Sequence, residues 1–280
     1  GGKRSIALVY PNRYDLGMSN LGFQVVYGLM NEHSDVVAER FFLPDRQEMP
    51  LYVRSGRPLL SLESQNPLER FDLICFSVSF ENDYPHVLRI LDLGRIPILS
   101  AKRSAEPPWV MAGGVATFLN PEPLADFMDF FLLGEAEANL DDFLIVLFET
   151  MDAGAVRKEA LYALACRLES LYVPALYEPA YQDDGTLRSL TPVDPGVPEK
   201  IRPSHVPLTE YEHGSAARSV VVTPDAEFKD RMLVELGRGC GRSCRFCAAG
   251  YVYRPPRTRS EDDLLRSVAE ALDCCAHLGL

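Results

Sequence analysis

The 280-residue chain carries 28 Lys and Arg against 40 Asp and Glu, a net charge of −12. That balance argues against a general nucleic-acid-binding role, because phosphate contacts dominate such affinity. With 47% hydrophobic and 24% charged residues the composition is that of a soluble globular protein, and no apolar run reaches the length of a membrane span.

Ser5 to Tyr10 is a short apolar run stopped by Pro11-Asn12, which predicts a buried strand. A loop through Gly17-Met18-Ser19-Asn20 follows. Phe23, Val26, Tyr27 and Met30 then recur at helical spacing, predicting a helix from Asn20 or Leu21 to Met30. Val36 to Phe42 reads as a second strand, and Pro44 to Pro67 as irregular chain with at most a short helix. Phe71 to Phe80 is a third strand and Tyr84 to Leu93 a helix. Trp109 to Ala112 is a fourth strand ending at Gly113-Gly114, and Met128 to Leu133 a fifth ending at Gly134. Glu135 to Met151 is a long amphipathic helix whose acidic first turn suits the helix dipole.

Continuous apolar strands alternating with helices predict an α/β class: a doubly wound, Rossmann-like parallel sheet over residues 1–152. In such sheets ligands bind beyond the carboxyl ends of the strands. The loops placed there are Tyr10–Asn20, Ser77–Asn82, Gly113–Asn120 and Gly134–Glu137. The plain reading of Gly113-Gly114 is a tight turn, and that of Glu135 and Glu137 is helix capping. Cys75, inside the third strand, reads as a core thiol.

Residues 153–227 change character. Val156 to Leu171 is expected to be a helix with Cys166 in its packing, and the Pro- and Tyr-rich remainder a connector wrapped on the surface. Tyr177–Tyr181 and Leu187–Leu190 flank the turn Gln182-Asp183-Asp184-Gly185-Thr186, a hairpin signature. Val220 to Thr223 is expected to add a strand. Residues 228–280 form a third region, opening with a strand at Met232–Leu236. Ser260 with Asp263 starts a helix as a capping box. Leu264, Leu265, Val268, Leu272 and Cys275 are expected to share its inner face, with Cys274 off it and both cysteines more readily packed or exposed than ligating.

Just past Leu236 the chain reads Gly237-Arg238-Gly239-Cys240-Gly241-Arg242-Ser243-Cys244-Arg245-Phe246-Cys247. Thiolates suit iron–sulfur clusters or zinc. A structural zinc site wants four ligands, commonly in two pairs; this loop offers three thiols at C-x3-C-x2-C and no second pair. Three thiolates on a four-iron cluster leave one iron open for chemistry. Six Arg and no Asp or Glu lie between Arg238 and Arg259, either a solvated basic loop or a cationic mouth for an anionic group. Seven cysteines with no secretory signal ahead of the first strand predict a reducing, cytoplasmic setting.

This motif, with Phe246 ahead of the last Cys, resembles the radical S-adenosylmethionine superfamily. Val234 to Cys240 and Gly250-Tyr251-Val252-Tyr253-Arg254-Pro255 are similar to an uncharacterised subgroup with a cobalamin-binding-like domain before the radical domain. The resemblance implies a partial (β/α) barrel beginning at residue 228 and Cys240, Cys244 and Cys247 as ligands of a 4Fe-4S cluster. It also implies an open iron that chelates S-adenosyl-L-methionine and cleaves it to a 5′-deoxyadenosyl radical. Phe246 would shield the cluster or contact adenine. Tyr251 and Tyr253 would line the cofactor site or pack under the loop, while Arg254 and Arg257 would bind an anionic substrate or steady the loop. Ser77, Ser79, Gly113 and Gly114 fall where the accessory domain approaches cobalamin. The first loop, Asp15-Leu16-Gly17-Met18-Ser19-Asn20, lacks the His of the usual cobalamin fingerprint, so His-ligated cobalt is not expected, while cobalamin held without a His ligand stays open. Later superfamily motifs are missing, so the chain is expected to be an N-terminal portion, inactive alone, acting on a small-molecule cofactor and an unidentified substrate. No residue is singled out as catalytic. Two rivals stand: a small-molecule or corrinoid binding module with structural zinc, and an RNA-modifying radical enzyme. Cys75 and Cys166 are too few for the second cluster of a methylthiotransferase, yet an RNA substrate stays open.

Overall fold

The computed structural model of the protein describes residues 3–104, 106–214, 216–275 and 277–279. Ile6 to Val9 are fully buried. A strand apolar on both faces must be covered on both faces, so it occupies the interior of a parallel sheet. It is β1 (Arg4–Tyr10), paired in parallel with β2 (Val36–Phe42) on one side and β3 (Leu73–Ser77) on the other. β4 (Trp109–Gly113) and β5 (Phe130–Leu132) extend the sheet, all parallel. Register places Ser77 opposite Gly113, so both sit at the carboxyl edge. With β6 (Leu171–Tyr172) at the far edge, the full order is β2-β1-β3-β4-β5-β6. The chain reverses direction of growth between β1 and β3, the crossover where doubly wound sheets bind ligands.

Helices α1 (Leu21–Glu32), α2 (Tyr84–Leu93) and α3 (Ala136–Asp152) cover the sheet. Asn20 starts α1 by accepting the Phe23 N–H at 2.9 Å, the role a short polar side chain plays at an N-cap. Between β2 and β3 the chain forms a short helix, Met49–Ser55, in otherwise irregular structure.

Three expectations for residues 153–227 change. The helix predicted to Leu171 ends earlier: α4 spans Arg157–Arg167, and β6 (Leu171–Tyr172) joins the sheet antiparallel to β5. Two residues carry no periodic signal, but Tyr172 is buried and stacks on Phe131 at 5.9 Å. The core therefore continues beyond residue 152, through Val173, Leu176 and Val197 to Ala226. Cys166 is exposed, its thiol donating to the Gly196 carbonyl at 3.2 Å, rather than packed. Val220 to Thr223 is not a strand. The amides of Val220 and Val221 donate instead to Oε1 of buried Gln24 at 3.1 and 2.9 Å. β7 (Tyr177–Tyr181) and β8 (Leu187–Pro192) form the expected hairpin.

In the last region β9 (Met232–Leu233) is followed by an antiparallel pair, β10 (Gly237–Arg238) and β11 (Arg257–Thr258), which clamps the stem of the cysteine loop. Helix α5 (Glu261–Cys274) then returns the chain to β12 (Leu278–Gly279), parallel to β9. This is one strand–helix–strand unit. Ser260 caps α5 by accepting the Asp263 N–H at 3.3 Å. The inner face of α5 differs in part from the expected one: Leu264, Val268 and Cys275 are half-buried as expected, but Leu265 and Leu272 are 61% and 50% exposed, and Ser267 and Ala271 are buried. The side chain of Cys274 lies outside the described residues. No described helix is long and apolar enough to cross a membrane.

Candidate functional site

The four loops at the carboxyl edge of the sheet converge on a cleft of about 410 Å³. Leu8, Cys75 and Met111, from β1, β3 and β4, form its floor, and Leu21, Val25 and Val26 of α1 form one wall. Ser77, Ser79, Gly113 and Gly114 all line it, as the sequence places them. The Asn20 amide donates to the Ser79 hydroxyl at 3.1 Å. Burial pushes the Cys75 thiol up to about 12, so it is inert at neutral pH.

The opposite wall comes from the cysteine region. Glu235, Arg238 and Tyr253 face the cleft, and Tyr253 packs edge-on against Phe118 with centroids 6.4 Å apart. The structure thus brings Tyr253 together with the sheet-edge residues. It leaves Phe246, 92% exposed, and Tyr251, 47% exposed, on the outer loop. Gly239, between Arg238 and Cys240, has φ +88°, and a Cβ there would strike the Tyr253 carbonyl oxygen. Only a glycine admits that approach of loop to stem.

A buried ionic network joins the two walls. Glu135 accepts from Arg257 Nη1 and from the Val206 N–H, both at 2.9 Å, and lies 3.3 Å from Arg238. Arg238 also binds Glu137 at 2.6 Å and Glu235 at 2.9 Å, and Arg259 meets Glu235 at 3.4 Å. Arg259, Arg257 and Arg238 stand over the ring of buried Tyr211 at 4.3, 4.8 and 5.4 Å. Burial, with the Glu235 charge beside it, pushes the Tyr211 hydroxyl up to about 12. For Glu135 burial alone would raise the pKa; the Arg257 and Val206 hydrogen bonds and the two guanidinium charges outweigh it and hold the carboxyl below its usual range.

These pairings alter two sequence readings. Three of the six Arg are spent on glutamates, so they are no free cationic mouth; Arg257 steadies the fold. Arg254 stacks on Tyr251 at 4.3 Å and donates to the Gly250 carbonyl at 2.6 Å. Arg242 and Arg245 stay exposed, without an ion pair among the described residues. Glu135 and Glu137 anchor the cysteine stem, and Glu135 makes no capping hydrogen bond with its side chain. Their Gly-Glu-x-Glu spacing was visible, but a capping explanation at a helix start absorbs it. Tyr211 gave no signal beyond its residue type.

Cys240 and Cys247 are half-buried and Cys244 is exposed. Cys240 Sγ accepts the Arg242 N–H at 3.4 Å, a hydrogen bond of the kind that supports a thiolate. Among the described residues no three His, Cys, Asp or Glu side chains are drawn into one metal-coordinating set. The donor chemistry fits a cluster, and ligation by all three sulfurs requires the loop to close around it.

Comparison with known proteins gives two matches. An uncharacterized protein of Methanocaldococcus jannaschii is 26% identical over 271 residues, a stretch that takes in 96% of this chain and 46% of that protein. The chain spans about half the length of this curated relative. The family described as "Radical SAM proteins, N-terminal" matches residues 22–174, which hold β2 to β6 and three of the four sheet-edge loops. That match takes in more than half of the sequence, and the chain belongs to the family of radical S-adenosylmethionine proteins, in their N-terminal region.

Proposed function

We propose that the chain is the part of a radical S-adenosylmethionine enzyme that holds the 4Fe-4S cluster on Cys240, Cys244 and Cys247. The observation that carries this reading is the position of the three thiols: one loop, directly after a strand of a strand–helix–strand unit, its stem clamped by β10 and β11. When bound, the cluster supplies one electron to S-adenosylmethionine, whose cleavage starts radical chemistry on a substrate. The protein's own residues do the rest. The Arg238 ion pairs and the Gly239 approach to Tyr253 fix the loop's entry, and the Arg254 bonds to Gly250 and Ser243 fix its exit. Exposed Arg242 and Arg245 supply positive potential beside an anionic cluster and a carboxylate-bearing cofactor.

A cytoplasmic setting accords with the free thiols. The test is spectroscopic: anaerobically reconstituted, dithionite-reduced protein is titrated with S-adenosylmethionine. The reading predicts a shift of the reduced cluster's EPR signal on addition, and an unperturbed signal at saturating cofactor would contradict it.

A further inference from the structure

We propose that the cleft at the β1/β3 crossover binds a compact, uncharged, largely apolar molecule bearing a hydrogen-bonding group, and does not bind a corrinoid. Size comes first. A volume of about 410 Å³ lies at the low end of ligand pockets. A bicyclic ring system fits that space. A corrin macrocycle with its nucleotide tail exceeds it. The first loop offers cobalt no His either.

Charge comes second. The charged groups on the cleft wall are already matched: Arg238 by Glu137 and Glu235 at 2.6 and 2.9 Å, and Glu135 by Arg257 at 2.9 Å. A charged ligand would bring an unmatched charge into a partly dry site, at a desolvation cost. The rest of the wall is mainly aliphatic and aromatic. The third point is Ser77, whose half-buried hydroxyl has no partner among the described residues and can donate to or accept from a ligand. The molecule would lie between the sheet edge and the cysteine stem. The inference is independent of the cluster assignment, since binding is measured on iron-free protein.

Indole and 2-naphthol serve as neutral probes, indole-3-acetate and tryptamine as charged counterparts, in 15N–1H NMR titrations of the purified chain. The neutral probes are expected to shift the amides of Ser77, Gly113, Gly114 and Arg238, with the charged pair about tenfold weaker or more. Val25→Trp, which fills the cleft, should abolish binding at an unchanged melting temperature. Ser77→Ala should weaken 2-naphthol ~5-fold and keeps the test decisive if Val25→Trp does not fold. Hydroxocobalamin should elute free of protein on gel filtration. Charged probes binding as tightly as neutral ones, no shifts with either neutral probe up to millimolar concentration, or stoichiometric retention of hydroxocobalamin would each overturn the proposal.

Discussion

Arg257 places its guanidinium on the carboxylate of Glu135, 122 positions earlier in the chain, with Nη1 2.9 Å from Oε2 and both side chains almost wholly buried. Glu135 opens the helix after β5, and Arg257 begins the strand that closes the cysteine loop. The pair therefore fastens the loop's stem to the carboxyl edge of the sheet. Removing one partner of a buried pair leaves the other charge unmatched, at a cost of about 3–5 kcal/mol. Glu135→Gln leaves Arg257 without its carboxylate and should lower stability by that order in urea unfolding, whereas Arg257→Ala leaves Glu135 still beside Arg238 at 3.3 Å and should cost less. They should also speed amide hydrogen exchange in residues 206–259 before the sheet itself opens. Unchanged exchange there would show that the stem docks without this pair.

The same carboxylate gives a pH dependence. Glu135 sits among Arg257, Arg238 and, at 3.8 Å, His205, and its pKa is depressed in the folded protein. A depressed carboxyl contributes stability that is fully present above its unfolded pKa and is lost as pH falls through the folded value. Stem docking should therefore hold from neutral pH down to the ordinary glutamate range and weaken below it. Hydrogen exchange in residues 206–259 across that acidic range checks this, and Glu135→Gln should flatten the response.

Gly114 follows β4 with φ +102°, and a Cβ there would lie 2.5 Å from the Val78 carbonyl oxygen and 2.9 Å from its nitrogen. Gly114→Ala combines a left-handed backbone angle with a backbone clash, so a loss of about 1–3 kcal/mol is expected. Thermal unfolding followed by the fluorescence of Trp109, the chain's one tryptophan, measures it. A neutral substitution would mean that this turn relaxes freely.

Gln24 replaces the strand that the sequence led one to expect at Val220. Its side chain donates to the Met18 carbonyl at 2.7 Å and accepts from two amides of the connector. Gln24→Leu leaves those amides unpaired, a cost of about 1–3 kcal/mol. Limited proteolysis should then cut first within residues 217–226, at protease concentrations that leave the wild type intact.

The sheet was legible because its strands are apolar on both faces: Ile6–Val9, Leu73–Phe76 and Val110–Ala112 leave little choice but an interior position. The loops at the carboxyl edge followed from that topology, and Ser77, Ser79, Gly113 and Gly114 do meet in one cleft. Two-residue elements such as Leu171–Tyr172 fall below any periodic signal. Tertiary charge pairing was equally hidden. A run of six Arg invites a reading as a cationic surface, and nothing local says that Arg238, Arg257 and Arg259 will be matched by Glu135, Glu137 and Glu235. On α5 the face is shifted rather than lost: Leu264, Val268 and Cys275 are half-buried as expected, but Leu265 and Leu272 point to solvent while small Ser267 and Ala271 pack inward, an exchange that hydropathy alone does not reveal.

The central claim is that three cysteines of one loop hold an iron–sulfur cluster. Iron and acid-labile sulfide, counted after anaerobic reconstitution of wild type and of Cys240→Ala, Cys244→Ala and Cys247→Ala, test it most directly. The account predicts about four irons and four sulfides per wild-type chain and a collapse of both in each variant. Zinc at one per chain with no labile sulfide, or iron and sulfide retained in all three variants, would contradict it.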